Sequence, residues 1–198
     1  MKQCATSFEV ATARGGFPLE GARVIDVRRI HREMPSVMEQ IHGLKFDYTD
    51  GKGMDFEPYA QVLSEKETRN CIRTWTGNAS LDGAEYLMFG MDGTGGHAAF
   101  WCIRPSVRVL DQPIIFLGSE NQLGVVANDF GDYLWLLAGG FGPYESLSYP
   151  DEDRPAHPEF TRFAIEHAPA NRRSPAEILA RARSSFPEFE GSIQSLCR

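Results

Sequence analysis

Tyr86-Leu87-Met88-Phe89-Gly90-Met91-Asp92-Gly93-Thr94-Gly95-Gly96-His97-Ala98-Ala99-Phe100-Trp101-Cys102-Ile103 is the stretch that decides the fold. Two β-prone runs, 86–89 and 98–103, flank a glycine-rich segment. Aromatic and aliphatic side chains suit a pleated, half-buried surface, and glycine reaches the positive φ that a tight reversal needs. The stretch reads as a β-hairpin. A phosphate loop would need Gly-Lys-Ser/Thr leading into a helix; here no lysine follows and the next element is a strand. A dinucleotide fingerprint fails for the same reason. Calcium is also disfavoured, because Asp92 is the only carboxylate of the loop and the ion takes roughly six to eight oxygens.

Working outward, Pro113-Ile114-Ile115-Phe116-Leu117 is a continuous apolar run, as expected of a strand covered on both faces. Gly118–Gln122 turns the chain and Leu123–Ala127 is a further strand. Upstream, Ser64 with Glu67 three residues later forms a capping box, so a helix runs to about Trp75, with Gly77 suited to the left-handed position that ends it. Downstream, Asn128 or Asp129 caps a helix through Ala138. Phe130, Tyr133, Leu134 and Leu137 share a face of it, and Trp135, Leu136 and Ala138 extend the apolar surface, which predicts cover on more than one side. Gly139-Gly140 ends it. The pattern implies an α+β fold with a central, mostly antiparallel sheet and packed helices.

The flanks are weaker. Residues 1–22 look irregular, Ala22–Val27 alternates as a strand, Arg28–Ile41 looks helical with an interruption at Pro35, and Asp50–Gly53 is a turn. Pro143, Pro150, Pro155 and Pro158 around Asp151-Glu152-Asp153 mark 143–158 as a loop. Pro158–His167 forms a short helix, and Ser174-Pro175-Ala176-Glu177 opens another with a second capping box. Its apolar face carries Ile178, Leu179, Ala182 and Phe186. The expected organisation is one domain over 1–142, clearest over 64–142, with 143–198 a loop and C-terminal helical appendage packed on it.

Charge narrows the partners. The net charge of -7 argues against nucleic acid, whose phosphates call for a basic surface. Residues 51–150 hold twelve acids against six bases, whereas 1–50 are balanced at seven each and 151–198 hold eight acids and seven bases. An acidic surface steers basic partners. No run approaches the roughly 20 apolar residues of a membrane span, and the first residues lack the apolar stretch of a secretion signal. Cys4, Cys71, Cys102 and Cys197 lie far apart, which fits reduced thiols in the cytosol; Cys71 and Cys102 read as small core residues. The five histidines show no paired metal-ligand spacing. Ser119 lacks the Gly-x-Ser-x-Gly setting of an activated nucleophile. The expectation is a cytoplasmic protein with no cofactor, no metal and no catalytic residues.

Trp75-Thr76-Gly77-Asn78, Phe89-Gly90-Met91-Asp92-Gly93-Thr94-Gly95-Gly96 and Phe116-Leu117-Gly118-Ser119-Glu120, followed by Gly124-Val125-Val126-Ala127 and the Leu134-Trp135-Leu136-Leu137 helix, together resemble the SUKH superfamily. That superfamily includes fungal cell-wall-assembly regulators and bacterial immunity proteins. The resemblance covers roughly residues 64–142; the Leu-Pro-x-x-Tyr segment and Asn-Gly pair carried by many members near the N-terminus are missing. It implies an α+β fold and a binding role, since bacterial members typically neutralise polymorphic toxins by direct contact.

The expected function is therefore a protein-binding module of the immunity type, facing a toxin such as a nuclease or deaminase. The candidate contact residues are Asp82, Asp92 and Glu120, acids at turns that would meet a basic groove. Taken singly, each reads more simply as a solvated turn carboxylate. The alternative is a small-molecule binding protein or minor enzyme with a pocket between sheet and helices, lined by Trp75, Trp101 or Trp135. Large aromatics are more often core.

Overall fold

The structure is a computed structural model that describes residues 32–105 and 107–198. The strand expected at 22–27, the first residues of the helix expected from Arg28, and Cys4 lie outside the described residues.

Five strands form one antiparallel sheet in sequence order: β1 (Glu57–Pro58), β2 (Tyr86–Met91), β3 (His97–Trp101), β4 (Ile114–Leu117) and β5 (Leu123–Ala127). The glycine-rich stretch is the β2–β3 hairpin, with Met91 paired to His97 and Tyr86 to Trp101. The ladder slips by one residue between Met88 and Gly90. Gly90 is required there, because a Cβ would stand 2.2 Å from the ring of Phe56, which crosses at that point.

Side-chain alternation divides the core in two. Leu87, Phe89, Phe100, Ile114 and Phe116 face one side. They pack against α1 (Ser36–His42), α3 (Phe130–Ala138) and α5 (Pro158–His167) through Met38, Ile41, Tyr133, Phe160 and Ala164. Tyr86, Met88, Ala99, Ile115 and Val125 face the other. There they meet α2 (Glu65–Thr76) and α7 (Phe189–Gln194) through Ile72, Phe189 and Ile193. α6 (Pro175–Ser185) gives Ile178 and Leu179 to the first core and Ala182 to the second, so it lies along the β5 margin of the sheet. β4 has all four residues buried, as its apolar run requires.

The helix ends follow the sequence signals. Ser64 Oγ accepts from the Glu67 amide and Glu67 Oε2 accepts from the Ser64 amide, closing the box on α2. Gly77 ends it at φ 66°. Asp129, rather than Asn128, caps α3: its Oδ1 accepts from the Asp132 amide at 2.9 Å. α1 begins at Ser36, directly after Pro35, and residues 32–35 are not helical, in keeping with the interruption expected at that proline.

Two elements depart from expectation. The prolines of 143–158 mark a loop, yet Pro143–Ser148 forms a short helix, α4. Proline is well placed at its first position, and the buried Glu145 stabilises its start by accepting from the Gly142 amide at 3.1 Å. The same carboxylate accepts from the Asp55 amide at 2.8 Å, tying the chain before β1 to α4. Glu145 was thus bound to a distant amide that sequence spacing does not reveal. The second is α7, formed beyond Phe186, where no capping or periodic signal marks a helix.

α3 is buried almost all round, including its one carboxylate. Asp132, 0% exposed, accepts from Asn171 at 3.3 Å and from Arg173 at 3.1 Å. These bonds fasten the turn at Pro169–Asn171 to the start of α3.

Candidate functional site

The turns at one end of the sheet come together. The β2–β3 turn is organised by Asp92. Its Oδ1 accepts from the amides of Thr94 (2.9 Å) and Gly96 (2.7 Å) and from the Thr94 hydroxyl (2.9 Å). Gly95 takes φ 94°. The Thr94 hydroxyl lies 2.7 Å from that of Ser119 in the β4–β5 turn. Asp55 reaches the same turn, its Oδ1 accepting from the Gly93 amide at 2.9 Å.

The three acids singled out above do not share a surface. Asp92 is only 1% exposed and is occupied in its own turn, so the expectation that it contacts a partner is corrected: its carboxylate replaces the backbone partners that a tight glycine turn leaves unsatisfied. Asp82 is exposed but precedes β2, at the opposite end of that strand from Asp92, and accepts from the Ala84 amide at 3.1 Å. Only Glu120 is both exposed and at the turn end. Its charge acts on Tyr144, raising the phenol pKa after the larger effect of the Tyr149 hydroxyl. The Tyr144 and Tyr149 rings are 6.0 Å apart, and Tyr149 is 44% exposed.

Part of the central acidity is spent within the fold. Asp92, Asp132 and Glu145 are buried, Glu67 and Asp129 cap helices, and Asp111 pairs with Arg108 at 2.9 Å. Counting acids by segment therefore overstates the charge that a partner meets.

Beside the turn end lies a cleft of about 730 Å³, between the sheet and the helices of the second core. α2 supplies Asn70, Cys71, Thr74 and Trp75 to its wall. The hairpin ends supply His97, Ser119 and Asn121, and the C-terminal segment supplies Gln194 and Cys197. Trp75 donates its indole N–H to the Gly118 carbonyl at 2.9 Å, which holds the ring still. His97 Nδ1 lies 3.0 Å from the Tyr59 hydroxyl. Burial lowers the imidazole pKa, against a smaller opposing pull from Asp92. Burial raises the Cys71 thiol pKa, with Glu67 adding to the effect, so the sulfur is protonated and a poor nucleophile at neutral pH.

Of the three tryptophans proposed for such a pocket, Trp75 lines it. Trp101 packs on Phe186 and Phe189, and Trp135 is buried with its N–H on the Ala168 carbonyl at 2.8 Å. Cys71 is partly buried, packing against the second core while also lining the cleft, and Cys102 is a core residue as expected. No group of three or more His, Cys, Asp or Glu side chains fit to hold a metal occurs among the described residues. Nor is any helix among them long and apolar enough to cross a membrane.

Comparison with known proteins returns nothing: no family model matches the chain, and neither the curated proteins nor the solved structures give a match.

Proposed function

We propose that this chain is a protein-binding module of the immunity type, acting by direct contact with a cognate toxin through the turn end of the sheet. The observation that carries the proposal is the platform there. Two turns, joined through the Thr94 and Ser119 hydroxyls at 2.7 Å, carry the exposed Glu120, whose charge reaches Tyr144; the Tyr144 ring lies 6.0 Å from that of the exposed Tyr149. An exposed carboxylate with tyrosines in reach suits a basic partner surface, and a turn already held in place loses little entropy on binding. The resemblance to SUKH proteins points the same way.

The test is binding to the products of the genes adjacent to this one, by calorimetry at two salt concentrations. Glu120→Lys is expected to weaken binding at least tenfold and to reduce its salt sensitivity, while Asp82→Lys leaves it unchanged. Unaltered binding by the Glu120 variant refutes the assignment of this surface.

One observation favours a second reading, a small-molecule binding protein. The cleft beside the platform lies between sheet and helices and has the size of ordinary ligand sites.

A further inference from the structure

Among the described residues, the side chains that wall the cleft are all uncharged. α2, the hairpin ends and the C-terminal segment contribute carboxamides, hydroxyls, thiols, one imidazole and two apolar groups, with no Asp, Glu, Lys or Arg among them. In a chain with 24% charged residues, a wall of this size drawn at random would carry about three charges. Among these described residues a phosphate or carboxylate finds no cation and an ammonium group no carboxylate. Nor do they offer a hydroxyl-rich ligand an acceptor-only carboxylate.

What the wall does offer is planar. Asn70, Asn121 and Gln194 each present a donor and an acceptor side by side, the arrangement that pairs with the edge of a heterocyclic base. Trp75 supplies a flat apolar wall that its bond to Gly118 keeps from swinging. Aromatic walls of this kind favour π-rings. His97 has Nδ1 engaged by Tyr59, which leaves Nε2 as the nitrogen for a ligand.

We propose that the cleft binds an uncharged heterocyclic base or nucleoside, held by the carboxamides of Asn70 and Gln194 and packed against Trp75. Binding needs no protein partner, so this site stands or falls apart from the toxin contact.

The experiment is saturation-transfer NMR and thermal shift on the full chain. The probes are adenosine, guanosine, cytidine and uridine, their 5′-monophosphates, and a neutral disaccharide. At least one nucleoside is expected to bind, and its monophosphate to bind several-fold more weakly. Asn70→Leu and Gln194→Leu change exposed residues and leave the core intact; each is expected to weaken the nucleoside at least fivefold with an unchanged circular dichroism spectrum. The proposal is overturned if no nucleoside binds. It is also overturned if a monophosphate binds as well as its nucleoside, if only the disaccharide binds, or if both folded variants bind like the parent.

Discussion

The hydroxyl of Thr94 sits between two partners, Asp92 Oδ1 at 2.9 Å and the Ser119 hydroxyl at 2.7 Å. Thr94 donates its hydroxyl hydrogen to Asp92 Oδ1, which leaves Ser119 as the donor to Thr94. A buried carboxylate is thereby linked to an exposed turn through one small side chain. The two hairpins of the sheet are coupled by this relay, beyond their shared ladder.

Thr94→Val keeps the shape and removes the relay. It is expected to lower stability by about 1–2 kcal/mol, and Ser119→Ala by less, because Ser119 is solvated. Denaturant titration of the two single variants and the double variant is the check. The double should cost less than the sum if the hydroxyls are coupled.

Gly96→Ala tests why the hairpin turn is so rich in glycine. A Cβ at Gly96 would stand 2.6 Å from the Phe116 ring and 2.9 Å from Gly118 Cα. The variant is expected to lose about 2–3 kcal/mol, since one obstacle is backbone. Gly95→Asn, at a left-handed position with nothing within 4 Å, should cost much less. Midpoints of urea unfolding distinguish the two.

His42 sets an acid limit on stability. It lies among Phe46, Phe56 and Phe89, and burial lowers its pKa from 6.5 to about 4. The unfolded chain takes up the proton first, so stability is full above about pH 6.5 and falls as pH drops toward 4. The loss is roughly 3 kcal/mol at the end of that window. Burial also raises the carboxyl pKa values of Asp132 and Glu145, whose protonation acts in the opposite sense. Comparing the parent with His42→Phe between pH 7 and pH 4.5 isolates the histidine: the variant should lose less stability over that interval.

Asp132→Ala should free the turn after α5. The substitution leaves Arg173 without its carboxylate and Asn171 with one fewer acceptor. A loss of about 2–3 kcal/mol is expected, with new proteolytic cleavage near 169–173 preceding global unfolding. Asp132→Asn, which keeps an oxygen in place, should be milder.

The parts of the fold that could be read from sequence are those where one residue type answers one local need. Ser64 with Glu67, Ser174 with Glu177, and Asp129 each cap a helix within four residues of themselves, so spacing alone reveals them. The glycine turn and the unbroken apolar run of β4 are equally local. Glu145 and Asp132 were hidden because their partners lie 90 and 41 residues away. α4 was hidden because proline marks both a loop and a helix start. At the candidate site, Glu120 was placed correctly as an exposed turn acid. Asp92 has the same local signature and turns inward, because burial depends on the neighbouring turn that brings Ser119 against Thr94. The cleft was legible only as a general location between sheet and helices, since its wall is drawn from four separate parts of the chain.

The two margins of the sheet have a bearing on how this protein meets others. β1 is two residues long and ends in Pro58, which has no amide hydrogen to offer. At the far margin, β5 lies under α6, and Leu147 of α4 closes over Gly124. Among the described residues, neither margin offers a long, uncovered edge strand on which a foreign strand could be templated. Association by strand addition, whether productive or amyloid-like, is disfavoured at both margins. Any partner has to be read by side chains, and crowded, concentrated solutions should be tolerated without the sheet growing from molecule to molecule.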